Sequence, residues 1–239
     1  MKKMFLAVIV VVIFVATSAK ATETESGDTA ELNPAEVRLA GYYDTREQEN
    51  STMTISKSWD NGVGVWGFID LWTARANSEL DVDDEADFVS FYGESNITYA
   101  ISKHWKLMME LNDGSAIAAN LRPGLRYTMP LENGWVGVKI LPYKFELVDQ
   151  DPRPDPSGQV GLAWRLNFLE DKVFFEGFAD LNWRYGDHQD EFYPFITEPQ
   201  LGFNLTKNSA FLVEYRYSAL NPITKEADEG WAFGYEYRF

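Results

Sequence analysis

From residue 36 to residue 239 the chain alternates between apolar and polar positions with a period of two, which indicates β-strands with two different faces. The last strand shows the pattern most clearly. Its two sides are Trp231, Phe233, Tyr235, Tyr237 and Phe239 against Ala232, Gly234, Glu236 and Arg238. Such a strand fits the edge of a soluble β-sandwich, or an outer-membrane β-barrel in which aromatics face lipid and polar residues face a lumen.

The spacing of the turn residues favours the barrel. The alternation predicts twelve strands: 37–44, 51–59, 63–73, 88–101, 105–112, 119–129, 135–145, 158–168, 172–185, 192–205, 209–217 and 230–239. The even-numbered connections are tight turns such as Asn61-Gly62, and the odd-numbered ones are longer, polar and acidic. We therefore expect an all-β fold, a twelve-stranded antiparallel transmembrane β-barrel with short periplasmic turns and longer extracellular loops. Prolines at 123, 142 and 199 fall inside predicted strands, where we expect bulges or small errors in the strand boundaries.

The N-terminus predicts export from the cytoplasm. Lys2 and Lys3 precede an uncharged apolar run at 4–16, and a small-residue cleavage site ends at Ala21. The apolar run is shorter than the roughly 20 residues that a membrane-spanning helix needs, which disfavours a helical anchor. We expect residues 1–21 to be a signal peptide, 22–35 a disordered periplasmic lead-in, and 36–239 a barrel in the outer membrane of a Gram-negative bacterium.

Charge and composition exclude several classes of partner. The chain has a formal net charge of −16, and three of its 21 basic residues lie in the predicted signal peptide. This acidity argues against nucleic acid or an anionic membrane surface as a partner. With no cysteine the chain has no disulfide and no thiolate metal site, and we expect no cofactor.

The polar face of the strands predicts a lumen with matched charges. Its basic members are Arg38, Lys106, Arg122, Arg126, Lys139, Arg165, Arg184, Arg216 and Arg238. Its acidic members are Asp44, Asp70, Glu94, Glu110, Glu176, Asp180, Glu198, Glu214 and Glu236. Equal numbers favour neither anions nor cations as solutes. These charges either pair to fill and stiffen a narrow barrel, or line a path for a solute.

Three segments near the C-terminus, 173–180, 196–201 and 213–217, resemble the Tsx-like family of nucleoside-specific outer-membrane channels. Segments 68–72 and 92–94 resemble the N-terminal region of that family more loosely. The resemblance implies a monomeric twelve-stranded barrel that admits nucleosides. The path residues that it implies are Phe68, Asp70, Tyr92, Glu94, Phe174, Glu176, Phe178 and Asp180. The inner-face pattern adds Trp72, Arg126, Glu198 and Arg216.

The sequence therefore predicts a channel for passive diffusion of small neutral solutes, nucleosides first, with outer-membrane lipid around it. Tyr235, Tyr237 and Phe239 are interpreted as a signal for the outer-membrane assembly machinery. The alternatives are a non-conducting structural barrel and an outer-membrane hydrolase with His188 at the extracellular rim, between Asp187 and Asp190. The acidic run at 81–87 is a candidate calcium loop, although its spacing matches no known calcium motif and a solvated loop is the simpler interpretation.

Overall fold

The computed structural model describes residues 35–45, 48–74, 88–115, 117–147, 157–185, 195–219 and 227–239. These residues form one antiparallel sheet of thirteen strands. The strands are β1 (Glu36–Asp44), β2 (Gln48–Ser58), β3 (Val63–Ala74), β4 (Phe88–Ala100), β5 (Trp105–Gly114), β6 (Ile117–Leu131), β7 (Gly134–Leu141), β8 (Phe145–Glu146), β9 (Ser157–Phe168), β10 (Val173–Arg184), β11 (Ile196–Asn204), β12 (Ser209–Ser218) and β13 (Asp228–Arg238). The predicted signal peptide and most of the lead-in lie outside the described residues.

The sheet closes on itself because its first and last strands pair. β1 lies between β2 and β13, and its register with β13 runs from Arg38↔Arg238 to Asp44↔Ala232. The short β8 pairs with β6 as β7 does, so β7 and β8 together make one barrel strand. The wall is therefore a closed barrel of twelve antiparallel strands, and the predicted fold class is confirmed.

Alternating residues face lipid and lumen, as the sequence pattern predicts. On β13 the side chain of Trp231 is 50% exposed and that of Phe239 is 68% exposed, whereas Ala232, Gly234 and Glu236 are buried. Apolar side chains are exposed in the same way around the barrel, for example Leu39 and Leu107. The aromatic stripe of the last strand is therefore part of an outward apolar belt, and its polar side belongs to the interior. Among the described residues, no helical segment combines the length and apolar character needed to cross a bilayer.

Tight turns gather at one end of the barrel. They are residues 59–62, 101–104, 132–133, 169–172 and 205–208, between consecutive strands. In the first of them Gly62 has φ +84°, a conformation that glycine adopts without strain, and Asn61 Oδ1 accepts a hydrogen bond from Val63 N–H. The C-terminus lies at the same end, because Phe239 N–H donates to Val37 O. By the general rule for these barrels this end is periplasmic.

The opposite, extracellular end differs from the prediction at two connections. Residues 75–87, 148–156, 185–195 and 219–227 leave long connections there, as predicted, but only 45–47 and 115–116 separate the other two strand pairs. The prediction of long loops at these two places was wrong. The polar residues that were assigned to loops continue the strands, because a lumen accepts polar side chains: Asn50 is buried and pairs with Tyr42.

The barrel wall is irregular where Pro142 separates β7 from β8. The register against β6 passes from Leu125↔Ile140 to Leu121↔Phe145, so one side of the break has an extra residue. This is the bulge expected near Pro142, and it lies opposite Pro123. At Pro199 the register with β10 stays regular, so the prediction of a bulge there was wrong.

Candidate functional site in the barrel lumen

Lys139 on β7 is the centre of one ion-pair cluster in the lumen. Its Nζ lies 2.9 Å from Glu110 Oε2 on β5, 3.4 Å from Asp180 Oδ2 on β10 and 3.8 Å from Glu94 Oε1 on β4. Glu110 is fully buried. Because β4 and β10 lie on either side of β7, a single ammonium group joins four strands. We call Glu94, Glu110, Arg122, Lys139 and Asp180 the lysine cluster.

Further hydrogen bonds, several of them with neutral side chains, complete the lysine cluster. Arg122 Nη1 lies 3.5 Å from Glu110 Oε1 and donates a 2.6 Å hydrogen bond to Gln159 Oε1. Asn112 Nδ2 donates to Glu110 Oε1 at 2.8 Å, and Asn96 Nδ2 donates to Glu94 Oε1 at 2.6 Å. Charges buried in this way survive because they are paired and most of their polar atoms are hydrogen-bonded, although the buried Asp180 Oδ1 has no hydrogen-bond partner.

A second group crosses the lumen nearer the periplasmic end. The Phe174 ring centroid lies 4.5 Å from the guanidinium carbon of Arg165 and 5.2 Å from that of Arg238. Phe174 is fully buried, and its ring lies so close to Gly202 that a Cβ there would be 2.0 Å from it. Arg165 Nη1 donates to Glu176 Oε2 at 2.6 Å. We call Arg38, Arg165, Phe174, Glu176 and Arg238 the phenylalanine cluster.

Arg38 makes the phenylalanine cluster span the interior. Its Nη1 lies 3.5 Å from Glu176 Oε1, although Arg38 is on β1 and Glu176 is on β10, which are separated by β11, β12 and β13 in the wall. The same guanidinium lies 3.8 Å from Glu236 Oε2. The lumen is therefore narrow enough at this height for two side chains to meet across it.

Arg216 organises a third group, nearer the extracellular end. It is paired with Glu214 on its own strand, and its Nη1 lies 3.5 Å from Asp44 Oδ2 on β1. Its guanidinium carbon lies 5.1 Å from the Tyr42 ring centroid, and Tyr42 Oη donates to Gln200 Oε1 at 3.1 Å. β1, β11 and β12 are thus tied together inside the barrel.

Three aromatic side chains on β3 and β4 form a lumen-facing row that we call the aromatic ladder. The ring centroids of Trp66 and Phe68 are 5.4 Å apart, and those of Phe68 and Tyr92 are 5.6 Å apart. Tyr92 Oη donates to Asn112 Oδ1 at 2.8 Å. The ladder runs along the wall beside Glu94, because Glu94 is the residue directly opposite Phe68 in the register of β3 and β4.

Of two recesses in the barrel wall, one lies on the outer face and one lies on the lumen face. A recess of about 470 Å³ surrounds Gly41 and includes Tyr43 and Tyr235, which face outward, so it belongs to the lipid-facing surface. A recess of about 240 Å³ lies inside the lumen near the periplasmic end and is lined by Trp66, Trp135 and the basic residues Lys106 and Arg126. We call this second recess the periplasmic vestibule.

The structure places every predicted path residue on the inner face of the barrel. Phe68 meets Tyr92, and Glu94 meets Asp180 through Lys139. Asp70 accepts a hydrogen bond from Thr52 Oγ1 at 2.5 Å. Trp72 and Glu198 face inward by strand alternation and register, and so does Phe178 opposite Glu198. That a solute passes along these residues stays a prediction.

The sequence pattern did not show which lumen residues join the clusters. Lys139, Glu110 and Arg38 were assigned to the inner face, but alternation alone does not show which strands meet across a lumen. Trp135 received no inward assignment because it follows a turn, where the alternation is weakest. In the structure its ring lies against Arg126, with the guanidinium carbon 5.3 Å from the ring centroid.

The described residues show no arrangement typical of a hydrolase. His104 Nδ1 lies 3.0 Å from the backbone oxygen of Thr128, and its ring packs against Tyr127. The predicted rim site around His188 and the acidic run 81–87 lie outside the described residues. Within the described ranges, no group of three or more histidine, aspartate or glutamate side chains is placed to hold a metal ion.

Comparisons with known proteins support the fold. No protein-family model and no curated protein matches the chain. Among solved structures, a NanC porin superposes with a TM-score of 0.58 at 13% identity, covering 84% of this chain and 98% of that one. A KdgM porin gives 0.51 at 16% identity, covering 85% and 99%. Outer membrane phospholipase A from Escherichia coli, an enzyme, gives 0.52 at 12% identity, covering 90% and 94%.

These likenesses show a barrel fold that porins share with an enzyme, and they show no nucleoside specificity. A barrel with an apolar outer belt and a polar interior resides in the outer membrane of Gram-negative bacteria. The chain therefore has the fold of a twelve-stranded outer-membrane β-barrel.

Proposed function

We propose that this barrel is a channel for passive, facilitated diffusion of small neutral solutes, with nucleosides as the first candidates. The observation that carries the proposal is the aromatic ladder of Trp66, Phe68 and Tyr92 beside the carboxylate of Glu94. Aromatic faces stack on a flat ring, and adjacent polar groups hydrogen-bond its edge. A nucleoside has both a flat base and a hydroxylated sugar.

The charge pairing of the lumen supports a neutral solute. In the lysine cluster and the phenylalanine cluster every basic side chain has a carboxylate within 4 Å. Paired charges present polar atoms to a passing solute without a strong field of one sign. The family resemblance of segments 173–180, 196–201 and 213–217 points to the same solute class.

Uptake into proteoliposomes tests this proposal. Labelled nucleosides are compared with sugars and amino acids, using liposomes without protein as the blank. We expect nucleosides to enter fastest and Phe68→Leu to slow them, because the substitution keeps an apolar side chain but removes the stacking face. Ile69→Ala, on the outer face of the same strand, is the matched control and is expected to leave uptake unchanged. Uptake no faster than the blank would rule out a channel.

A non-conducting structural barrel is the second candidate. Its support is the contact between Arg38 and Glu176 across the lumen, together with the fully buried ring of Phe174. In that case the clusters serve only to fill and stiffen the barrel. Entry of every solute at the rate measured for protein-free liposomes would favour the structural barrel.

The proposal also states what the outer surface of the barrel contacts. The exposed belt contacts outer-membrane lipid, and the barrel acts as a monomer. Tyr235, Tyr237 and Phe239 all project outward at the periplasmic end, and the last two rings are 5.0 Å apart. We include these three residues as the signal for the outer-membrane assembly machinery.

A further inference from the structure

We infer that the periplasmic vestibule is a binding site for the oxyanion group, carboxylate or phosphate, of a small solute. Lys106 on β5 and Arg126 on β6 are its ligands, with Trp66 and Trp135 as apolar walls. This site goes beyond the proposed function, because a neutral solute gains no Coulomb energy from two cations.

The first argument is the contrast in charge pairing within one lumen. Six inward basic residues of the described chain each lie within 4 Å of a carboxylate: Arg38, Arg122, Lys139, Arg165, Arg216 and Arg238. Lys106 and Arg126, in contrast, form no ion pair with any residue that the structure describes. Among the described side chains of the inner face, these two cations therefore lack an ion pair, and they lie at the same height of the barrel.

The second argument is the position of these two cations relative to each other. Lys106 and Arg126 are directly opposite residues in the antiparallel register of β5 and β6. Like charges that face each other across neighbouring strands destabilise a sheet. An anion between them would remove this repulsion, so the pair is better suited to a bound anion than to an empty lumen.

The third argument is the space around the pair. The vestibule has a volume of about 240 Å³, below the range of roughly 300–1,000 Å³ that is usual for drug-sized ligands, so it suits a small group. The hydroxyl groups of Ser56 and Thr128 line it and can donate hydrogen bonds, whereas the Thr98 hydroxyl, also in the lining, donates to Gly64 O. Arg126 packs against Trp135, which holds its planar guanidinium in one orientation. A fixed guanidinium binds carboxylate and phosphate through two parallel hydrogen bonds.

Matched probes separate this site from the proposed function. Binding to the purified protein in a non-ionic detergent is measured by calorimetry with 5′-AMP, inorganic phosphate and benzoate, and with adenosine as the neutral counterpart of 5′-AMP. If phosphate compounds alone bind, the site is specific for phosphate; if benzoate alone binds, it is specific for carboxylate; if all three bind, it accepts either group. Each of these outcomes supports the site, even if adenosine fails to cross liposomes.

Substitutions identify the ligands of the anion. Lys106→Gln and Arg126→Gln are each expected to weaken anion binding about tenfold or more, since each removes a charge-assisted hydrogen bond. Lys106→Arg keeps the charge and is expected to retain binding. Lys103→Gln removes the same charge from an exposed turn at the same end of the barrel and is expected to have no effect. Circular dichroism confirms that each variant is folded.

Two results would overturn the inference. One is that 5′-AMP and benzoate bind no more tightly than chloride to the wild-type protein. The other is that Lys106→Gln and Arg126→Gln, both folded, bind the anions as tightly as Lys103→Gln does.

Discussion

The charges of the lysine cluster depend on partners that come from other strands. Lys139 shows this dependence best, since Glu94, Glu110 and Asp180 lie on β4, β5 and β10. A buried carboxylate without a positive partner is costly, whereas an apolar residue in place of a complete pair is often tolerated. The ammonium group of Lys139 therefore stabilises three acids at once, and its loss should cost more than the loss of one ordinary contact.

We predict that Lys139→Met lowers the free energy of unfolding by about 3 to 5 kcal/mol, because it leaves buried carboxylates uncompensated. Methionine keeps the length of the side chain, so the change is mainly electrostatic. The measurement is urea-induced unfolding of the refolded protein in lipid vesicles.

The control for this prediction is Lys172→Met, in the exposed turn between β9 and β10. It should leave the free energy of unfolding unchanged. The double variant Lys139→Met with Glu110→Gln should recover part of the loss, because one of the unpaired charges is then gone. A Lys139→Met protein as stable as the Lys172→Met control would show that the cluster does not stabilise the barrel.

At the scale of the strand, most of the architecture could be predicted because one rule governs every element. In a lipid-embedded barrel each strand has an apolar and a polar face, so period two marks both strand and side. The rule failed at residues 45–50 and 113–118, because polarity no longer separates a loop from a strand whose inner face is polar. The bulge near Pro142 was predicted from the proline itself and not from the alternation, and its form depends on how β6 pairs with two successive segments.

The sequence identified the candidate site less completely than the strands. Facing direction is local information, so Phe68, Glu94 and Asp180 could be assigned to the lumen. Which of them meet depends on the curvature and register of the closed wall, which no single strand contains. The contact of Arg38 with Glu176, four strands away, is therefore a result of closure alone.

The last strand carries a prediction about assembly. Phe239 is 68% exposed at the periplasmic end, and its ring packs on Tyr237 outside the barrel. Deletion of Phe239 should lower the yield of assembled protein in the outer membrane, since it removes the terminal aromatic but no lumen contact. The measurement is the amount of heat-modifiable barrel in membrane fractions.

The assembled fraction of the Phe239 deletion should keep the solute preference of the wild-type protein. Phe233→Ala, which removes an outward aromatic from the middle of the same strand, is the control and should assemble better than the deletion. Equal yields for the deletion and the wild-type protein would show that Phe239 is an ordinary residue of the lipid-facing belt.

For the whole molecule the main question is whether the closed wall surrounds a path. The phenylalanine cluster crosses the lumen, and the ring of Phe174 lies there between Arg165 and Arg238 and against Gly202. This fully buried ring therefore fills part of the lumen near the periplasmic end. Its removal distinguishes a narrow channel from a barrel that is filled along its whole length.

If the barrel is a channel, Phe174→Ala should increase the rate at which small sugars enter proteoliposomes, because the ring occupies part of the lumen at the height where Arg38 and Glu176 meet across it. Phe175→Ala is the matched control: Phe175 is the next residue on β10 and its ring packs on Trp164 at the outer face, with centroids 5.6 Å apart. Both variants lose a phenyl ring and should lose comparable stability, yet only Phe174→Ala widens the lumen. Entry that stays at the level of protein-free liposomes in Phe174→Ala would identify a barrel whose ion pairs fill the interior, because removing a ring from a conducting lumen cannot leave it equally closed.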